Sequence, residues 1–430
     1  MKNMSNNGKI QLKNALQFLS TTPKAVVFVF VIYFFQGVIH NLGHPVTPAL
    51  VSDMGIDKSY FGYYFAAMSF GLLVGSPIWG YLGDKGHKRI YVVVGLLIYS
   101  VGQYMFAYIG DKNVMILFRF MSGFGVSASI TLILSHLIEH SPLDRRKIYL
   151  GWYQALFVLG SSAGYFIAGV ISTNPFFIEL LHTNDYRIIF AIQALWNVFH
   201  AFYIFIFLGK EKPRVKTENT KPKKPSIIEG FKSIKKLNKN LLLFLISLTL
   251  ISLGTINISK FIEVYMNDID LSPADIGNFV GLTGIVSLVA TVILVPVVAR
   301  LKKDFPIMLI IQALSALIIF FVFRQESIML ALYSGFMIYI VLKAIFSPLE
   351  QHYISSHASE GKLGTIMGVR QSFFSIGLVA GPLLGGWLYE IAPQYVFDFS
   401  AIMFILGFVL ILIVGKRIKN ENDRKQNLDV

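Results

Sequence analysis

The stretch GWYQALFVLGSSAGYFIAG, residues 151–169, and its echo GVRQSFFSIGLVAGPLLGG, residues 368–386, decide the architecture of this chain. Gly151, Gly160 and Gly164 stand 217 positions before Gly368, Gly377 and Gly381. Three glycines at the same two spacings in two long apolar segments mark an internal duplication. Read as helices, the segments place residues four apart on one face. Gly160, Gly164 and Ala168 then form one small-residue groove, and Gly377, Gly381 and Gly385 another, which a neighbouring helix can approach closely. Packing is one use of such grooves; sliding or rocking through a conformational cycle is a second. Pro382 removes a backbone hydrogen bond inside the later segment and is expected to bend it, which favours the second use there.

Outside these segments the chain is as apolar as within them: 54% of 430 residues are hydrophobic and the mean hydropathy is +0.61. A hydrocarbon layer of about 30 Å takes roughly 20 helical residues to cross, and unpaired strand edges cannot be satisfied in it. Twelve spans are expected, at 25–51, 60–82, 91–109, 114–138, 148–171 and 188–208, then 241–266, 274–301, 306–323, 328–354, 363–389 and 396–415. The fold class is therefore all-α, a polytopic membrane protein with twelve transmembrane helices in two pseudo-symmetric six-helix bundles. The expected organisation is a cytoplasmic segment at 1–24, bundles at 25–209 and 241–415, a basic linker at 210–240 and a cytoplasmic tail at 416–430. The first apolar run is too long for a signal peptide and no small-residue cleavage site follows it. In the linker, Ile227, Ile228, Phe231 and Ile234 would form the apolar face of a short interfacial helix.

The formal charge of +14 reports orientation rather than a nucleic-acid partner. Of 38 Lys and Arg, 30 fall in the termini and the even-to-odd loops, and only Lys58, Lys112, Arg187 and Arg324 in the opposite loops. That asymmetry predicts both termini in the cytoplasm, in the cell membrane. The absence of cysteine removes disulfides, thiolate metal sites and cysteine nucleophiles.

Between the second and third spans lies GYLGDKGHKRI, residues 80–90. Gly80, Gly83 and Gly86 permit a tight reversal, Asp84 offers a carboxylate to helix ends or basic groups, and Lys85, Lys88 and Arg89 hold the loop in the cytoplasm. This segment resembles the GxLaDrxGrk signature of the major facilitator superfamily through Gly80, Leu82, Asp84, Gly86, Lys88 and Arg89. Arg119, Gly123 and Gly125 resemble the family's RxxxGxG motif on helix four, and PVTP at 45–48 resembles an element of drug and metabolite exporters. The glycines of helix five resemble the antiporter motif G-x8-G-x3-GP-x2-GG, with Tyr165 in place of Pro and Ala168 in place of a Gly. Helix eleven carries the complete pattern. A worn copy of the loop signature, with Ala299 and Leu301, stands at ARLKKDFP in the second half. The resemblance covers essentially the whole chain and implies alternating access, with Asp84 locking the cytoplasmic side of the outward-facing state against helix eleven.

A charge at mid-membrane costs at least about 2.5 kcal/mol, so each has to face a cavity or a partner. The candidates for proton coupling or the substrate cavity are Arg119, Lys260, Glu263, Lys343 and Arg370, with Glu350 nearer an interface. Lys260 and Glu263, three apart, are expected to pair on one helical face; alternatively Glu263 is a proton site governed by its Lys neighbour. Gln36, His40 and His44 follow a four-residue spacing and are expected to form one polar stripe of helix one, facing water or substrate. No metal is expected, because no acidic residue or cysteine completes the His-x3-His pair. With Arg119, Lys343 and Arg370 and few central carboxylates, the cavity should prefer neutral or anionic molecules over cations.

No nucleophile and base, phosphate-binding loop or metal cluster is recognisable, so an enzyme is not expected, and no cofactor beyond a proton gradient. The leading reading is a monomeric, proton-coupled exporter of a small organic molecule, drug or metabolite. The alternative is a proton symporter or facilitator importing an anionic or neutral metabolite.

Overall fold

A computed structural model describes residues 22–84, 86–142, 145–182, 185–208, 238–299, 301, 304–356 and 363–426. Twelve helices in it are long and apolar enough to cross a membrane. In chain order they are α1 (Lys24–Asn41), α2 (Ser59–Asp84), α3 (Lys88–Tyr108), α4 (Lys112–His140), α5 (Arg146–Thr173) and α6 (Arg187–Phe207). The second set is α7 (Lys239–Asp268), α8 (Pro273–Ala299), α9 (Asp304–Val322), α10 (residues 328–356), α11 (Leu363–Ile391) and α12 (Pro393–Gln426). The apolar face proposed at Ile227, Ile228, Phe231 and Ile234 lies outside the described residues, as does much of ARLKKDFP.

Local chemistry sets several helix ends. Asp111 caps α4 by accepting from the amides of Asn113 and Val114 at 2.8 and 3.0 Å. Ser272 and Asp275 cap α8 reciprocally, with Ser272 N to Asp275 Oδ2 at 3.0 Å and Asp275 N to Ser272 Oγ at 3.3 Å.

The first span departs from expectation. Instead of running from 25 to 51, α1 stops at Asn41, five residues of turn follow, and a separate short helix covers Thr47–Asp53. The PVTP segment accounts for the break: Pro45 cannot donate a helical hydrogen bond, and Pro48 occupies the first turn of the new helix, where a missing donor costs nothing. Helix α10 carries a π-helical turn at Leu332–Phe336, and a short helix, Pro175–Leu181, lies between α5 and α6; periodicity foretold neither.

The duplication read from the glycines reappears as packing. In the first half α1 lies on α5, α2 on α4, and α3 on both α4 and α6; in the second α7 lies on α11, α8 on α10, and α9 on both α10 and α12. The halves meet through α5 against α8 and α2 against α11, the same contact under the repeat. Because twelve spans return the chain to its starting side, the start of α1 and the end of α12 lie at one end of the molecule; the opposite end is termed distal. There a cluster of buried side chains joins the halves, with Leu42, Phe61, Phe65 and Phe190 packed near Phe261, Val264 and Tyr389. Large apolar side chains such as Phe199, Phe202, Val292 and Ile310 are exposed, as lipid-facing positions should be.

Candidate functional site at the meeting of the halves

Glycines let the backbones approach. A Cβ at Gly160 or Gly164 would strike the Phe34 or Val38 carbonyl of α1, and one at Gly377 or Gly385 would meet Ser252 or Asn257 of α7. Gly381 has slightly more room, with the Leu253 carbonyl 3.4 Å away. These grooves therefore hold helices together within a half. The glycines that cross between halves are others: Gly169 and Gly277, where α5 meets α8, and Gly386 and Gly62, where α11 meets α2. Gly386 follows Gly169 by the same 217 residues, so the crossings are repeats of each other. Pro382 belongs to this set, since its carbonyl packs on Gly62.

At the distal end polar links cross the same seam. Lys58 pairs with Asp268 at 2.7 Å, and Asn267 Nδ2 donates to Ser52 Oγ at 3.3 Å. Deeper lies Glu263 of α7, 2% exposed. Its Oε1 accepts a hydrogen bond of 2.6 Å from the Tyr165 hydroxyl of α5, in the other half. His44, carried by the break after α1, places Nδ1 3.8 Å from Glu263 Oε2 and stacks on the Tyr165 ring with centroids 5.6 Å apart. Glu263 Oε2 has no hydrogen-bond partner, an unusual state for a buried carboxylate oxygen. Tyr165, visible in sequence only as a missing proline, is thus the residue through which α5 reaches the carboxylate of α7.

Several sequence expectations are corrected. Lys260 does not pair with Glu263: it sits 5.0 Å above the Phe65 ring of α2, and its residue is half-buried. Gln36, His40 and His44 do not form one stripe. Gln36 and His40 bond each other inside the first bundle, His40 packs on Tyr99 with ring centroids 4.7 Å apart, and the chain break swings His44 away to the seam. That also splits the His-x3-His pair. Arg119 is 4% exposed, donates to Gln103 Oε1 at 3.2 Å and Thr47 Oγ1 at 3.4 Å, and lies 3.6 Å over Phe106. Gln103 and Gln193 both donate to Tyr99 at 2.9 Å, so this arginine anchors a network inside the first half. Arg370 is likewise taken up, its Nε 3.0 and 3.1 Å from the two carboxylate oxygens of buried Glu350. Lys343, at mid-length of α10, is half-buried and donates to Ser259 Oγ of α7 at 3.3 Å.

In the loop after α2, Gly86 adopts φ 101° and the reversal needs it there. Gly80 has an open neighbourhood, its nearest contact being Thr131 at 3.7 Å. Lys88 is not a solvated loop cation: it is 2% exposed, pairs with Glu139 and donates to Ser135 at 2.9 Å, tying α3 to α4. Arg89 lies 4.7 Å from the Phe205 ring. Asp84 ends α2, but its side chain lies outside what is described. Outside the spans, Arg324 donates from Nη2 to Asp398 Oδ2 of α12 at 2.8 Å, and that hydrogen bond raises the guanidinium pKa above its usual value.

Comparison with known proteins agrees with this arrangement. The family profile of the Major Facilitator Superfamily matches residues 29–369 and again 242–428. The chain belongs to this superfamily. It is 25% identical over 376 residues to Multidrug resistance protein 1 of Bacillus subtilis (strain 168), covering 85% of this chain and 90% of that one. It is 26% identical over 406 residues to Quinolone resistance protein NorA of Staphylococcus aureus (strain MSSA476), covering 90% and 96%. Among solved structures, a bacterial homologue of the human lysosomal transporter Spinster, inward-facing and occupied, superposes with a TM-score of 0.76 over 91% of this chain and 96% of that one, at 10% identity. As a member of the superfamily, this chain is a multi-pass membrane transporter and not an enzyme.

Proposed function

We propose that this transporter exports a small organic molecule across the cell membrane in exchange for protons, with both termini in the cytoplasm. The observation that carries the reading is Glu263: a buried carboxylate on one half, held by Tyr165 and His44 of the other at the seam that has to open. With the distal end closed, the carboxylate is tied to its partners and shut off from that side. When the halves part there, it loses both and is open to protonation. Proton occupancy and gate position are thereby linked, which alternating access coupled to a proton gradient requires. The positive charge in the terminal loops supports the orientation, and the multidrug and quinolone resistance named for the relatives supports export.

Inverted vesicles with an acid lumen provide the test. Antiport accumulates an added dye, fluorescein or rhodamine 123, in the lumen as protons leave, an ionophore abolishes the accumulation, and Glu263→Gln prevents it. Protons leaving together with preloaded dye would establish symport instead.

A further inference from the structure

We infer that the transported molecules are organic anions, held beside Lys260 of α7 and Lys343 of α10; this deepens the export reading and rests on it. Away from the helix ends, four cations stand within the spans among the described residues, Arg119, Lys260, Lys343 and Arg370. Arg370 is paired with Glu350, and Arg119 gives hydrogen bonds to Gln103 and Thr47 and lies over Phe106, its Nε left unpaired. Lys260 and Lys343 have fewer contacts. Lys343 crosses from α10 to a hydroxyl on α7, and that hydroxyl belongs to Ser259, the residue before Lys260. Lys260 has an aromatic ring from the opposite half as its close partner.

Among the described residues no carboxylate lies within ion-pair distance of either lysine. Glu263, one turn along from Lys260, accepts from Tyr165 with one oxygen and lies 3.8 Å from His44 with the other, so it offsets the Lys260 charge from a distance without pairing with it. Two half-buried ammonium groups left to a serine hydroxyl and a phenyl face are incompletely compensated, since charges withdrawn from water are ordinarily paired. An anion beside them supplies the missing partner. A cation at that position would add a third like charge. Because the two lysines share one half and Phe65 belongs to the other, an anion seated there touches both halves.

The test measures dye binding to the purified full chain by fluorescence polarisation, with two xanthene dyes of opposite charge, fluorescein and rhodamine 123. Fluorescein is expected to bind more tightly, and Lys260→Gln and Lys343→Gln each to weaken it by about tenfold, the loss of one charge-assisted contact. Lys343→Arg should retain most of the affinity, and added salt should weaken fluorescein but not rhodamine 123. Melting curves confirm that each variant is folded; if Lys343→Gln does not fold, Lys260→Gln and the salt titration decide. The inference is overturned if rhodamine 123 binds at least as tightly, if fluorescein affinity survives the glutamine variants, or if neither dye binds. Gradient-driven movement of rhodamine 123 alone would overturn the anion site and leave export standing. Fluorescein bound at the lysines but not moved by a gradient would do the reverse.

Discussion

At the scale of single residues, the decisive feature is the contact between Tyr165 and Glu263, because it joins the two halves through one hydrogen bond to a buried acid. Bonds to ionised groups contribute about 1.5–3 kcal/mol, which is enough to shift a gate held by few such links. Tyr165→Phe keeps the ring against His44 and deletes only the hydroxyl. It should raise the labelling rate of an Asn267→Cys reporter by an impermeant maleimide, since the distal end opens more often. The chain has no native cysteine to confuse that measurement. An unchanged rate would show that the hydroxyl does not hold the gate.

At the scale of helices, two kinds of glycine contact separate what must stay together from what must part. Gly160 and Gly164 weld α5 to α1 inside the first half, while Gly62 and Gly386 set α2 against α11 across the seam. Overpacking a close contact costs about 1–3 kcal/mol or more. Gly164→Leu should therefore lower the melting temperature of the purified protein, because the Val38 backbone cannot yield. Gly386→Leu should spare the melting temperature more and instead prop the distal seam open, read as faster maleimide labelling at Asn267→Cys. Equal losses of stability in both variants would erase the distinction.

For the molecule as a whole, alternating access requires the halves to move as units about the seams α5–α8 and α2–α11. Ser52 and Asn267 face each other across the closed distal end with 3.3 Å between their polar atoms. A Ser52→Cys, Asn267→Cys double variant joined by a short bifunctional thiol reagent should lose transport, and cleaving the cross-link should restore it. Continued transport in the cross-linked protein would mean that this end does not open. The same cysteines, placed singly, should react from outside intact cells, whereas Ser356→Cys should react only after permeabilisation.

By itself the sequence determined the twelve spans, the duplication and the family, because each rests on local properties: run length, apolar content and spacing along one chain. The repeat at 217 residues survives as matched packing of α1 on α5 and α7 on α11. The partners of the buried charges were decided only by tertiary structure. Arg119, Lys260 and Arg370 look alike in sequence, yet one is locked in a network, one lies on an aromatic ring and one is paired with Glu350. His44 left its expected stripe because a turn of a few residues after Asn41 rotates everything beyond it. Tyr165 met Glu263 across 98 residues of chain, a distance over which no local pattern carries information. A side chain's burial can be read from its neighbours in sequence, but its partner depends on which helix the fold brings to it.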